Sequence, residues 1–190
     1  MIKQIKPALL LLAVFTILTG IIYPLLISGL AQIIFPSQAN GSLLVQNGKI
    51  VGSGLIGQSF DQPGYFWGRL SATGDHPYNA SSSGGSNLSV LNQSLSDAVS
   101  QRIKDLKSAD PDNTLPIPVD LVTASASGLD PDISIAAARY QAARIANKRQ
   151  ITLDKVNALI DQNTSDRTFG LLGEPRVNVL KLNIALDALK

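Results

Sequence analysis

The sequence contains no cysteine and a single histidine, His76. The first absence excludes disulfides, thiolate zinc sites, iron–sulfur clusters and a cysteine nucleophile. The second removes any metal site built on several imidazoles. Charge is sparse as well: Asp, Glu, Lys and Arg make up 16% of the chain, where soluble proteins carry about a quarter. Together with 45% hydrophobic residues, this excludes disorder for most of the chain and points toward a membrane. No glycine-rich phosphate loop ends in Gly-Lys-Ser/Thr, and no aspartate sits in the Lys-Thr-Gly setting of P-type pumps, so the chain does not hydrolyse ATP alone. A Gly-x-Ser-x-Gly nucleophile elbow is missing too.

At 190 residues the chain has room for one ordinary domain and an appendage. Its net charge of +2 sits at one end: Lys3 and Lys6 are the only charged side chains before Lys49, and without them 14 basic residues face 14 acidic ones. A balanced remainder has no surplus with which to neutralise phosphates, which sets nucleic-acid binding aside.

Residues 8–35 carry no charge over 28 positions. About 20 helical residues cross a hydrocarbon layer of about 30 Å, so this stretch is long enough to span with tilt. Cleavage as a signal peptide is the rival, with Lys3 and Lys6 as a basic start and Gly29-Leu30-Ala31 as a small-x-small site. The run is too long for a signal core, and Tyr23-Pro24 interrupts it, so retention is the favoured reading. Lysines resist translocation, which makes residues 1–7 a cytoplasmic N-terminus and residues 36–190 an extracytoplasmic domain. Thr16, Gly20, Pro24, Ser28 and Gln32 recur every fourth residue as a small or polar stripe. Pro24 has no N–H for the carbonyl of Gly20, which calls for another donor or a kink. The stripe fits a helix interface, and fits equally the routine Gly, Ser and Thr content of membrane helices.

Asn47-Gly48, between Leu43-Leu44-Val45-Gln46 and Lys49-Ile50-Val51-Gly52, predicts a hairpin, because both turn positions accept positive φ. Residues 52–67 read as irregular strand and turn, with the aromatics as core. Residues 74–87, rich in Gly, Ser and Asn, form a long loop. A helix capped by Ser89 carries Leu91, Leu95, Val99, Ile103 and Leu106 on one stripe and stops at Asp110-Pro111-Asp112-Asn113, after which Pro116 and Pro118 keep the link extended. Asp130-Pro131 reads as the cap and first turn of a third helix, and Thr152 as the cap of a fourth running to about Asp161. Val179, Leu182, Leu186 and Leu189 follow Asn178 at helical spacing, although Val177-Asn178-Val179 could equally be strand. The fold class is α+β: an extracytoplasmic domain anchored by one N-terminal transmembrane helix.

His76 is the one base that could activate a serine at 81–83, 86, 125 or 127, but without an elbow it reads as a solvated loop residue. The pairs Asp110 with Asp112 and Asp130 with Asp132 lack the other oxygens of a calcium loop. Ser83-Gly84-Gly85-Ser86-Asn87 loosely resembles an ABC-transporter signature, a string common in loops.

Several blocks taken in order resemble the C subunit of bacterial Kdp potassium-transporting ATPases, the KdpC family. They are Gly54-Leu55-Ile56-Gly57-Gln58-Ser59-Phe60, Tyr65-Phe66-Trp67-Gly68-Arg69 with Ser71-Ala72-Thr73, and Tyr78-Asn79-Ala80 with Ser83-Gly84-Gly85-Ser86-Asn87. Then follow Val122-Thr123-Ala124-Ser125-Ala126-Ser127-Gly128-Leu129-Asp130-Pro131, Arg144-Ile145-Ala146, and Leu172-Gly173-Glu174-Pro175-Arg176-Val177-Asn178-Val179-Leu180 with Asn183 and Asp187. Leu70 stands where the family has proline and Asp132 where histidine is frequent, so neither position inherits a special role.

The resemblance implies a non-catalytic accessory subunit of an ATP-driven high-affinity potassium uptake pump in the bacterial cytoplasmic membrane. Its implied partners are a channel-like potassium-translocating A subunit, a P-type B subunit and a small F subunit, besides membrane lipid. It implies no cofactor of the chain's own, ATP and magnesium belonging to the B subunit. Similar subunits are described as raising that subunit's ATP affinity. A single crossing leaves little of this chain on the ATP side, which favours an external role in covering the ion entrance and stabilising the assembly. The stripe Thr16, Gly20, Pro24, Ser28, Gln32 is then the candidate membrane interface, and Phe66, Trp67, Arg69, Tyr78, Asn79, Ser86 and Asn87 are candidate external contacts. The competing readings are a secreted hydrolase and a membrane-tethered binding module.

Overall fold

The computed structural model describes residues 2–189, which divide into two compact units, one up to Leu43 and one from Leu44. In the first, α1 (Ile5–Ile17), a π-helical turn (Leu18–Ile22) and α2 (Tyr23–Ile34) follow one another as a 30-residue apolar helix long enough to cross a membrane. None of its residues is buried, as suits a helix whose solvent is lipid. The π turn answers the missing N–H of Pro24: the N–H of Tyr23 reaches back five residues to the carbonyl of Leu18, widening the backbone just before the proline. A single turn, α3 (Pro36–Ala39), follows. The amides of Gln32 and Asn40 join there, Asn40 Nδ2 donating to Gln32 Oε1 at 3.0 Å.

The second unit opens with the hairpin β1 (Leu43–Gln46) and β2 (Lys49–Ser53). Asn47 and Gly48 both take positive φ, 51° and 75°, as the two-residue turn requires. The amphipathic helix α4 (Gln93–Ala109) ends at Asp110. It starts later than Ser89 predicts: the Asn92 side chain accepts from the N–H of Ser94 at 2.9 Å, and Ser89 closes a preceding turn instead. Leu91 therefore falls outside the helix and is 92% exposed.

The third helix also starts later than expected. Asp130 Oδ1 accepts from the N–H of Asp132, turning the chain into β3 (Asp132–Ser134), and α5 (Ile135–Arg149) begins only after Ser134, whose hydroxyl accepts from Ala137 N–H at 3.0 Å. The cap is itself held, because the Asp120 carboxylate accepts from both the N–H and the hydroxyl of Ser134. Thr152 caps α6 (Leu153–Gln162) through the N–H of Lys155, as its position predicts. After β4 (Thr164–Ser165), the alternatives at Val177-Asn178-Val179 are both realised. β5 (Arg176–Asn178) is strand, and α7 (Val179–Ala188) begins where Asn178 accepts from Lys181 N–H.

The sheet is antiparallel in the order β3-β5-β4, with Ile133 opposite Val177. Ile133 and Val177 face the core formed by Ala137, Ile145, Val156, Ile160, Leu182 and Leu186, contributed by α5, α6 and α7. Phe66, Leu106 and Leu121 reach the same core from outside these elements. The result is a mixed α/β domain.

Candidate functional site

Residues 61–69 belong to no helix or strand, and many of their main-chain groups are bonded by side chains. Two buried amides act as substitute strands: Gln141 Oε1 accepts from the N–H of Trp67 at 2.8 Å while its Nε2 donates to that residue's carbonyl at 3.1 Å. Asn183 repeats the pattern on Phe66, at 2.9 and 3.0 Å. Arg144 donates to the carbonyls of Pro63 and Tyr65 and to Gln141 Oε1. Arg149 donates to the Gly64 carbonyl and pairs with Asp187 at 2.7 Å.

The guanidinium carbons of Arg144 and Arg102 lie 4.6 and 5.0 Å from the Trp67 ring centre, within cation–π range. Burial lowers the pKa of both arginines, Arg144 to about 10, a value that leaves Arg144 charged at neutral pH. Phe66 is fully buried and Trp67 is 5% exposed. These two nominated contact residues therefore lie in the core, where they support the surface from behind.

Beyond this segment the chain is tied to residues 122–131. Arg69 pairs with Asp130 at 3.0 Å and donates to the Ala124 carbonyl; its Nε is buried with no hydrogen-bond partner among the described residues. Leu70 bridges to Ala124 in parallel, and the Ser71 hydroxyl donates to the Gly128 carbonyl and accepts from Tyr78 N–H. Tyr78 donates its phenol to the Arg69 carbonyl at 2.6 Å. Burial raises its pKa, which keeps it a donor.

Two glycines make room here. A Cβ on Gly57 would press on the Tyr78 ring and stand 2.7 Å from the Asp130 carbonyl. Gly128, at φ +67°, lets the chain pass 2.6 Å from where a Cβ would meet the Gly84 carbonyl. The loop at residues 74–87 is thereby ordered. Asn79, 7% exposed, caps the short turn Ala80–Ser82, and Gly84 N–H and the Ser83 hydroxyl both donate to the Ser127 carbonyl. The bond from Gly84 takes one of the N–H groups that an anion nest would offer. Of the nominated external contacts only Ser86 and Asn87 are exposed, while Arg69 and Tyr78 are half-buried. His76 is exposed and is held through its main chain, its carbonyl accepting from Thr73.

An open cleft of about 600 Å³ is lined by Arg69, Asp130, Asp132, Pro118, Val119, Pro175 and Arg176, among others. Two ion pairs stand in it, Arg69 with Asp130 and Arg176 with Asp132 at 2.9 Å, while the Asp120 carboxylate on its wall accepts from Ser134. The Asp132 carboxylate also accepts from Asn178, so this residue ties β3 to β5. Among the described residues no three His, Asp or Glu side chains are placed to hold a metal ion.

Next to the cleft the chain from β4 to β5 turns in an ordered tip. Thr168 and Leu172 exchange main-chain bonds of 2.9 and 3.0 Å, and Arg167 pairs with Glu174 at the base. Phe169, Leu171 and Leu172 project from it, 90%, 79% and 63% exposed. The sequence reading passed over Phe169 and Leu171. A glycine-bounded apolar run, Phe169-Gly170-Leu171-Leu172-Gly173, is the signal that marks them.

The membrane stripe is shaped by the π turn. On an ideal helix at about 100° per residue, positions from Thr16 to Gln32 would wind about 160° around the axis; one wide turn acts as a one-residue insertion and reduces this to about 60°. Thr16, Gly20, Pro24 and Ser28 are all exposed, and Gln32 is engaged by Asn40.

A match spanning residues 5–188 identifies the family described as KdpC, K+-transporting ATPase c chain. The chain belongs to the KdpC family. It is similar over nearly full length to proteins named potassium-transporting ATPase KdpC subunit. The relative from Herpetosiphon aurantiacus is 62% identical over 97% of this chain and 96% of its own length. That from Polaromonas naphthalenivorans is 62% identical over 98% and 95%, and that from Methylococcus capsulatus 58% identical over the whole of both chains.

The family blocks read from the sequence fall together in the fold. Those at residues 65–69, 71–73, 78–87 and 122–131 are the mutually bonded loops, and the block at 172–180 is the rim of the cleft, β5 and the start of α7.

Proposed function

We propose that this KdpC-family chain is a non-catalytic accessory subunit of an ATP-driven potassium uptake pump. It is anchored by its apolar helix, with the N-terminus cytoplasmic and the α/β domain outside the cytoplasmic membrane. The domain stabilises the assembly and covers the external ion entrance of a channel-like subunit, while ATP and magnesium are handled by a separate P-type subunit. The observation that carries this reading is the full-length match to proteins named as subunits of a potassium-transporting ATPase. A domain whose loops are ordered by internal hydrogen bonding agrees with a role in support of another chain. On the membrane side, the small residues of the stripe let a neighbouring helix approach closely.

The test is gentle extraction of a tagged full-length chain from cells expressing the pump. The expected result is recovery of a channel subunit and a P-type subunit, with growth at limiting potassium lost on deletion of this gene. Recovery of the chain alone, with growth intact, overturns it. A reporter fused at Lys190 checks orientation; signal from inside the cell would overturn the external placement and favour direct action on ATP affinity.

A further inference from the structure

We infer that the β4–β5 tip is an apolar plug that seats in a concave apolar socket on another subunit of the pump, an inference that rests on the proposed function above. Three features carry it. The first is exposure: Phe169, Leu171 and Leu172 stand together on a projecting turn, 63% to 90% exposed, and a convex apolar knob is complementary to a socket rather than to a flat face.

The second is order. The tip is closed by bonds between Thr168 and Leu172, with a further bond from Gly170 N–H to the Arg167 carbonyl. Phe169 is held at φ +57°, Gly170 at +72° and Gly173 at +80°. A bulky residue in the left-handed region is a cost, accepted here while the ring packs against nothing in its own chain. A pre-ordered aromatic anchor loses little entropy on binding.

The third is charge. At the base Arg167 is paired with Glu174 at 2.6 Å and Arg176 with Asp132, and Asp166 adds one further carboxylate, so the apolar tip rises from a collar with no basic surplus. Insertion into an anionic lipid surface draws on a basic surplus, which this collar lacks. A desolvated protein pocket needs none. The adjoining cleft, walled by Val119 and Pro175, offers space for a segment of the same partner beside the plug.

The test places a photo-crosslinking phenylalanine analogue at position 169 of the full chain within the assembled pump. The expected result is an adduct between this chain and one other pump subunit. An adduct to lipid only, or to a second copy of this chain, overturns the inference. A companion variant, F169S with L171S, is expected to lower the yield of co-purified pump subunits about tenfold, the weight of a central aromatic anchor. Its thermal melt should match the parent, since neither side chain is packed in the fold. If the double variant retains the parent's yield and the probe gives no subunit adduct, the plug is refuted while the pump association stands. If the unsubstituted chain brings down no pump subunit, the failure lies with the function itself.

Discussion

Leu182 and Gln141 are equally shielded from solvent, yet they hold different halves of the α/β domain. Leu182 belongs to the packed set contributed by α5, α6, α7 and the sheet, where apolar surface is removed from water and each neighbour is a regular element. Gln141 faces a segment with no regular element and supplies the partners that a neighbouring strand would otherwise give. Arg102, Arg144, Arg149, Asn183 and Ser71 continue this around the loops. An apolar contact tolerates small shifts, whereas an amide spanning one residue's N–H and carbonyl fixes the backbone position. The loop half is thus ordered without being helical or extended, and it carries most of the blocks that resemble the family, the others lying in α5 and in β5 with the start of α7.

The sharpest way to break this contrast uses Trp67, the only tryptophan, whose emission reports on the loop half while far-UV circular dichroism reports on the helices. Gln141→Leu leaves the main chain of Trp67 and a guanidinium of Arg144 without their partner. The expected cost is about 3 kcal/mol, with the tryptophan transition moving to lower temperature ahead of the dichroism. Leu186→Ala, at a fully buried core position, is expected to cost about 3 kcal/mol with both signals moving together. Coincident transitions in both variants would show the two halves to be one cooperative unit.

Next in size is Gly57→Ala. The obstacle is main chain, the Asp130 carbonyl 2.7 Å from the new Cβ, so a loss of about 2 kcal/mol is expected, read as a lower melting temperature of the full chain in detergent. Tyr78→Phe removes one donor from the Arg69 carbonyl and should cost about 1 kcal/mol at neutral pH. Burial raises the Tyr78 pKa above its ordinary 10.0. The unfolded phenol therefore ionises first, and the stability it contributes is whole below pH 10 and declines above it. The gap between parent and variant should close as pH rises through that region, measured by denaturant titration at several pH values. The smallest effect is expected at Phe169→Ser, within about 0.5 kcal/mol of the parent, because the side chain is 90% exposed.

What could be read from the sequence follows the reach of each signal. Asn47-Gly48, the stop at Asp110, the cap at Thr152 and the helical spacing after Asn178 are local, and the structure has them in place. The starts at Ser89 and Asp130-Pro131 were misplaced because equally good local caps lay a few residues on. Asn92 won the first. At the second, residues 132–134 pair with residues 176–178, and Ser134 is fixed by Asp120, neither visible in a short window. The loop at residues 74–87 reads as polar chain for the same reason, since its order comes from residues 122–131. Core burial of Phe66 and Trp67 was legible from their chemistry; that buried arginines would flank Trp67 was not, as charged residues give no sign of facing inward.

The wide turn at residues 18–22 sets the phase of the apolar helix in a way that composition does not reveal. Drawing that turn back to α-helical bonding at the same length would restore an ordinary spiral with ample apolar length, yet would rotate everything after it by about 100° about the axis. Thr16 and Ser28 would then point to different neighbours. The anchor would still be greasy enough to cross, but it would be out of phase with itself.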